Sequence, residues 1–132
     1  MAKKNIFISY DYDNDKKYKN MLAAWDANKE FDFGFSDQSA DVSIDSTDAA
    51  AIKRAISAKI NAAPYFLCLV GKQTHKAKWV SWEIGKAVEF KKKIIAVKID
   101  ASNTTPSGLL NVGASWAMSF TFDAIKKAVD GA

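Results

Sequence analysis

The segment from Lys78 to Gly85 combines aromatic and acidic side chains at a spacing that suits chemistry. It contains two of the four tryptophans of the chain and a single acid. Trp79 and Glu83 are four residues apart, so in a helix they share one face, one turn above the other. An aromatic surface beside an acid is a place for catalysis. The alternative at this point is that both tryptophans are core residues and Glu83 is a surface charge interacting with the helix dipole.

Other catalytic signatures are missing from the sequence. It has no phosphate loop of a P-loop NTPase, no dinucleotide fingerprint of a Rossmann dehydrogenase and no nucleophile elbow of a serine hydrolase. The acids Asp11, Asp13 and Asp15 resemble the cluster of a magnesium-binding receiver domain. A receiver also needs an aspartate after the strand that here ends in Val70 and Gly71, so this class is disfavoured.

The single histidine and the single cysteine are both predicted to have no catalytic role. His75 has no cysteine or second histidine near it, which favours a surface loop residue over a metal ligand. Cys68 lies within the apolar run from Tyr65 to Val70, which favours a buried small hydrophobe over a nucleophile. We therefore expect no metal site and no internal disulfide.

Length and charge restrict the class of protein further. The 132 residues fit a single domain, 1–132, that buries a core without disulfides. The net charge of +4 is spread among acids, and its one run, Lys91 to Lys93, falls where a helix should end. No nucleic-acid-binding signature is present. The apolar run from Ile6 to Ile8 is too short for a signal peptide or a membrane span, which predicts a cytoplasmic protein.

Strand and helix patterns alternate along the chain. Continuous apolar runs indicate buried strands, strict alternation indicates an edge strand, and helical spacing indicates amphipathic helices. Strands are predicted at 5–10, 31–35, 65–70, 94–99 and 116–118, and a long surface loop at 36–47. Helices are predicted around the stripes Tyr18, Met21, Leu22 and Trp25; Ile52, Ala55, Ile56 and Ile60; at 79–91; and around Phe122, Ile125 and Val129.

This alternation predicts an α/β fold of three layers. We expect a flavodoxin-like parallel sheet of about five strands with helices on both faces. In such sheets ligands bind outside the carboxyl ends of the strands, beside the point where the strand order reverses. The segments 9–15, 36–47 and 71–83 should reach that edge, so the topology places Trp79 and Glu83 there.

Three segments resemble the Toll/interleukin-1 receptor (TIR) domain family. Ile6-Phe7-Ile8-Ser9-Tyr10-Asp11 is similar to its first strand and loop, and Phe33-Gly34-Phe35-Ser36-Asp37 to its second strand and following aspartate. Lys78-Trp79-Val80-Ser81-Trp82-Glu83 resembles the W-x-x-x-E signature of active members. The resemblance spans nearly the whole chain and is greatest to the bacterial TIR-like proteins of the Thoeris antiphage system. It is less distinct from residue 101 onward.

The resemblance implies an activity and a set of site residues. The activity is cleavage of NAD, as substrate and with no other cofactor, which releases nicotinamide and forms a cyclic or modified ADP-ribose signal for a partner effector. Glu83 corresponds to the catalytic glutamate. Ser9, Tyr10 and Asp11 line the substrate pocket, Trp79 is the aromatic one turn before the acid, and Asp37 begins the variable loop.

The physical interpretation assigns Trp79 and Tyr10 as flat walls of the pocket and leaves Trp82 in the core. Asp11 departs from the arginine that many active members carry, which argues against pyrophosphate binding by this loop. The family also implies pockets completed by a neighbouring subunit, hence a homo-oligomer. The alternatives are a non-catalytic TIR scaffold and, more remotely, a degenerate receiver-like domain.

Overall fold

One sheet of five parallel strands forms the centre of the computed structural model, which describes residues 4–27, 33–38 and 49–132. The strands are β1 (Lys4–Ser9), β2 (Phe33–Gln38), β3 (Tyr65–Val70), β4 (Lys93–Lys98) and β5 (Ser115–Ala117), and the helices are α1 (Tyr12–Ala27), α2 (Ala49–Ala62), α3 (Lys78–Glu89) and α4 (Phe122–Asp130). The strand order is β2-β1-β3-β4-β5, and every pair is parallel. The predicted α/β, flavodoxin-like fold is confirmed.

The side chains of β1 divide the core into two layers, because successive residues of a strand point to opposite faces. Ile6 and Ile8 pack with Leu22 of α1 in the layer that α4 completes. Phe7 packs with Ile84 of α3 in the layer that α2 completes. Helices therefore cover both faces of the sheet, as the alternating pattern predicted.

The second strand differs from its prediction. It lies at the edge of the sheet, as expected, but runs from Phe33 to Gln38 instead of ending at Phe35. It continues because Ile8 of β1 still pairs with Gln38, which satisfies backbone groups of both strands. The first three residues of the predicted loop 36–47 thus belong to β2. The remainder of that loop, like residues 31 and 32, lies outside the described residues.

The first helix also corrects one expectation. Met21 was predicted on the buried stripe of α1, yet it is 44% exposed, whereas Leu22 is fully buried. Consecutive helical residues differ by about 100° in direction. With Leu22 pointing at the sheet, Met21 lies at the margin of the covered face.

The lysine run after α3 forms a helix end, as predicted. Lys91 adopts a left-handed φ of 57°. Its N–H donates to the carbonyl of Val88 at 3.1 Å, and the N–H of Lys92 donates to the carbonyl of Ala87 at 2.9 Å. These two bonds define a Schellman motif, which satisfies the last carbonyls of the helix. The ammonium of Lys92 also donates to the carbonyl of Asn61, near the end of α2, at 2.7 Å.

Glycine in place of Lys91 should stabilise the protein, because a side chain in the left-handed region costs about 1 kcal/mol that glycine avoids. We expect Lys91→Gly to raise the free energy of unfolding in urea by about 0.5 to 1 kcal/mol. Glu89→Gly, inside the last turn of the same helix, should lower it by about 1 kcal/mol. Destabilisation by both substitutions would contradict the assigned helix end.

Candidate active site

A buried hydrogen bond joins the end of β1 to α3. The Ser9 hydroxyl donates to Oε1 of Glu83 at 2.8 Å, and both residues are 0% exposed. The interpretation of Glu83 as a surface charge is therefore wrong. Removing a carboxylate from water costs several kcal/mol unless polar groups replace the lost hydration, and the Ser9 hydroxyl is one such group. Glu83 is the sixth residue of α3, so the helix dipole, which acts within the first turn, contributes little to it.

This bond lies at the point where the strand order reverses. β1 has β2 on one side and β3 on the other, and the connections that follow β1 and β3 leave in opposite directions. Ser9 is the last residue of β1 and pairs with Cys68 of β3. The sheet thus brings the Ser9–Glu83 pair to the position where doubly wound folds bind ligands.

Cys68 is a buried core residue, as predicted. Burial raises the pKa of its thiol, and the negative charges of Glu83 and Asp15 raise this pKa further. The thiolate is therefore strongly disfavoured, which removes Cys68 as a nucleophile. His75, predicted in a surface loop, is half-buried in a short 3-10 turn from Thr74 to Lys76.

The two tryptophans of α3 are buried to different extents. Trp79 is only 9% exposed and belongs to the same buried cluster as Ile84. Trp82, predicted in the core, is half-buried, and the ammonium groups of Lys53 and Lys86 lie 5.9 and 5.8 Å from its ring centre. The rings meet edge to face at 5.6 Å. Trp82 occupies the rim between α2 and α3, where its ring attracts cations.

Tyr10 lies on the other side of the sheet from Glu83. It is 2% exposed and packs in the layer of α1 and α4, whereas Trp79 packs in the layer of α2 and α3. Tyr10 and Trp79 therefore do not form two walls of one cavity on one face. Period-two alternation continues one residue beyond β1 and gives Tyr10 the direction of Ile6 and Ile8.

The two predicted aspartates occupy different positions. Asp11 is 9% exposed and precedes α1; its Oδ2 accepts from the Asn14 amide at 2.6 Å, and its backbone carbonyl accepts from the N–H of Asp15 at 2.8 Å. It therefore stabilises the start of α1. Asp37 is within β2, opposite Phe7, so it does not begin the following loop. Its side chain lies outside the described part of the structure.

A second buried acid lies near this pair and had no predicted role in the site. Asp15 of α1 is 5% exposed, and its Oδ2 is 3.2 Å from the Thr74 hydroxyl oxygen. That oxygen accepts from the N–H of Gly71 at 2.8 Å and is 3.3 Å from the carbonyl of Leu69. Burial raises the pKa of Asp15, the Thr74 hydrogen bond opposes this, and the charge of Asp11 adds to it.

The sequence contains a signal for Asp15 but none for Thr74. Asp15 precedes Tyr18 by three residues and Leu22 by seven, so it continues the buried stripe of α1. Thr74 stands in a polar connection, where nothing distinguishes it from its neighbours.

The family comparison matches residues 7–104 to the description "Thoeris protein ThsB, TIR-like domain". This span contains the Ser9–Glu83 pair and most of the chain. The chain belongs to this Thoeris TIR-like family. Membership gives it an antiphage, TIR-related function. The match ends before β5 and α4, where the resemblance in sequence was already weaker.

Solved structures resemble the TIR-like domain in fold alone. A 2-deoxyribosyltransferase from Bacillus psychrosaccharolyticus is 13% identical with a TM-score of 0.56, over 76% of this chain and 77% of that one. A Leishmania mexicana 2-desoxiribosyltransferase is 18% identical with a TM-score of 0.55, over 92% and 93%. A 3-dehydroquinate dehydratase-like protein from Bifidobacterium longum is 16% identical with a TM-score of 0.50, over 98% and 94%. No curated protein matches the sequence.

The helices that the structure describes in the TIR-like domain do not have the character of membrane spans. Across residues 4–27, 33–38 and 49–132, none is both long and apolar enough to cross a bilayer.

Alanine at Gly71 should destabilise the TIR-like domain through Asp15, since a Cβ there would overlap the Asp15 carboxylate. We expect Gly71→Ala to lower the free energy of unfolding by about 1 to 3 kcal/mol. The same substitution should cost far less in an Asp15→Ala background, because the overlapping atoms are gone.

The matched control is Gly85→Ala in α3, where a Cβ meets nothing within 4 Å. It should stabilise the domain by up to about 1 kcal/mol. An equal cost of Gly71→Ala with and without Asp15 would contradict the described contact.

Asp15 should make stability depend on pH. A raised pKa means that the folded domain holds this proton more tightly than the unfolded chain. Ionised Asp15 therefore reduces stability at neutral pH, and the penalty disappears below the ordinary value of 3.8. In urea unfolding, Asp15→Asn should be more stable than wild type at pH 7, with the difference shrinking as the pH approaches 3.

Asp100→Asn provides a control of opposite sign. Hydrogen bonds from Ser102 lower the pKa of Asp100, so its ionised form adds stability above its ordinary pKa, and this is lost on acidification. The asparagine variant should be no more stable than wild type at pH 7. If Asp15→Asn lowers the free energy of unfolding at pH 7, or changes it by an amount that does not vary with pH, the raised pKa of Asp15 is refuted.

Proposed function

We propose that the TIR-like domain cleaves the bond between nicotinamide and ribose in NAD and that Glu83 is its catalytic residue. The observation that carries this proposal is the fully buried Ser9–Glu83 pair at the strand-order reversal. A buried acid at a ligand-binding edge is a frequent feature of active sites. Family membership and the W-x-x-x-E spacing support the same assignment.

The chemistry requires only one acid. Nicotinamide leaves NAD as a neutral molecule, so the leaving group needs no proton, unlike the alcohol released in ordinary glycoside hydrolysis. Positive charge develops on the ribose as the bond breaks. A carboxylate at Glu83 stabilises that charge, and the Ser9 hydrogen bond fixes its orientation in advance. Preorganisation of this kind avoids rearranging dipoles during the reaction.

The shared fold is compatible with this class of reaction. Two structural neighbours are by name deoxyribosyltransferases, enzymes that transfer a deoxyribosyl group. The proposed reaction likewise moves a ribosyl group, away from nicotinamide. The product is ADP-ribose in cyclic or otherwise modified form, and we propose that it signals to an effector of the Thoeris system.

Burial determines how the substrate reaches the acid. Since Glu83 is 0% exposed, NAD contacts it only after neighbouring side chains move. Trp79 lies one turn earlier on the same face of α3 and is 9% exposed. A site that closes again over the ribose limits water and favours attack by a group of the same nucleotide, which gives a cyclic product.

The same burial supports one alternative. A Ser9–Glu83 pair that only stabilises the fold would have the same geometry, in the absence of substrate, as a catalytic pair. The domain would then be a non-catalytic scaffold that binds other proteins. The two functions predict different effects of removing the Glu83 charge. In a catalytic domain the removal slows the cleavage of NAD, whereas in a scaffold it has no effect on NAD.

Glutamine at position 83 tests the catalytic assignment, because it still accepts the Ser9 hydrogen bond but carries no charge. We expect Glu83→Gln to reduce nicotinamide release by about 100-fold or more, roughly 3 kcal/mol of transition-state stabilisation. Glu89→Gln, which removes an exposed acid of the same helix paired with Lys86 at 3.1 Å, should leave turnover unchanged. Equal rates for wild type and Glu83→Gln would exclude catalysis by Glu83. No turnover by wild type at any concentration would favour the scaffold.

A further inference from the structure

Asp15 is a buried acid that has no direct role in the proposed cleavage of NAD by Glu83. Asp15 belongs to α1, and its carboxylate meets the hydroxyl of Thr74 in the connection between β3 and α3. The Thr74 oxygen already accepts from the N–H of Gly71, so its single proton is available for an acceptor. Among the residues that the structure describes, the acceptors in reach are Oδ2 of Asp15, at 3.2 Å, and the carbonyl of Leu69, at 3.3 Å.

Thr74 is connected to the start of α3 by backbone hydrogen bonds. The carbonyl of Thr74 accepts from the N–H of Ala77 at 3.0 Å. Ala77 is the N-cap residue of α3, and its carbonyl accepts from the N–H of Ser81 at 3.0 Å. Because a helix is a rigid rod, the position of its first turn determines where Glu83 lies one turn further on.

Asp15 is also connected, through Asp11, to Ser9, the other partner of the buried pair. Asp11, two residues beyond Ser9, accepts the backbone N–H of Asp15 at 2.8 Å. The contacts therefore form a closed circuit. It runs from Ser9 through Asp11, Asp15 and Thr74 to α3, and returns to Ser9 through the hydrogen bond of Glu83.

We propose that Asp15 and Thr74 are positioning residues, whose hydrogen bond holds α3 so that the Glu83 carboxylate meets Ser9 in the reactive arrangement. This inference rests on the proposed function. It assigns the work to the hydrogen bond and not to the charge of Asp15. A small displacement of a catalytic group lowers the rate far more than it lowers affinity, since substrate contacts away from the reacting atoms persist.

Variants that keep or remove the Thr74 hydroxyl, which meets Asp15 and also accepts from the N–H of Gly71, separate positioning from folding. Thr74→Val keeps the shape and removes the hydroxyl, whereas Thr74→Ser and Asp15→Asn keep a donor and an acceptor. Ser115→Ala is the matched control, because it also deletes a hydroxyl hydrogen bond, 2.6 Å to the carbonyl of Ala128, but between β5 and α4.

We expect Thr74→Val to lower kcat for nicotinamide release by about tenfold or more, with KM within about threefold of wild type. Thr74→Ser and Asp15→Asn should keep at least about a third of the kcat, and Ser115→Ala should keep all of it. A Thr74→Val kcat equal to wild type would overturn the inference. So would a large loss in Asp15→Asn, because the charge would then act on the substrate, or an equal loss in Ser115→Ala.

Amide hydrogen exchange tests the same bond without relying on turnover. Thr74→Val should speed exchange across residues 72–83, whereas Ser115→Ala should speed it only near β5 and α4. Unchanged exchange at 72–83 would show that the bond does not hold α3. If wild type releases no nicotinamide, the proposed function fails, and the exchange result alone decides whether Asp15 and Thr74 hold the helix.

Discussion

The hydrogen bond between Ser9 and Glu83 is the interaction on which the rest of the site depends. It places a carboxylate at 0% exposure inside a layer of apolar side chains, where an acid without polar partners would cost several kcal/mol. The pair also brings together two residues 74 positions apart. The strand β1 and the helix α3 must therefore both be in place before the site exists, so that site and fold are formed together.

Topology explains why these two elements meet. The order β2-β1-β3-β4-β5 places the carboxyl ends of β1 and β3 side by side, and the segments that follow them contribute the buried acids Asp15 and Glu83. Asp15 comes from the connection and helix after β1, and Glu83 from the helix after β3. Both raise the pKa of Cys68, which lies between their elements on β3. Burial also raises the pKa of Asp15 itself, so the ionised form of Asp15 reduces the stability of this edge.

Local sequence patterns were sufficient to predict most of the strands and helices of the fold. Tyr65–Val70 was predicted residue for residue, because Pro64 and Gly71 bound a continuous apolar run. Helical spacing correctly placed Trp79 and Glu83 on one face of α3, and both are buried. Errors occurred where tertiary contacts decide, as for β2, which extends to Gln38 because β1 continues to pair with it.

The site itself was only partly predictable. A helical stripe does not tell how deeply each tryptophan is buried, and Trp82, predicted in the core, is only partly buried against it. The Ser9–Glu83 bond and the Asp15–Thr74 contact join residues far apart in sequence, and no local pattern encodes such a partner. Only the placement of Asp15 on the buried stripe of α1 gave a usable signal.

Mass spectrometry of NAD incubated with the wild-type protein tests the central claim most directly, since it follows the bond that Glu83 is proposed to break. If Glu83 breaks this bond, NAD disappears, nicotinamide appears in equal amount, and the remainder is found as an ADP-ribose species, lighter by one water if it is cyclic. NAD that stays intact, or that is split at its pyrophosphate with nicotinamide still attached to ribose, would contradict that claim.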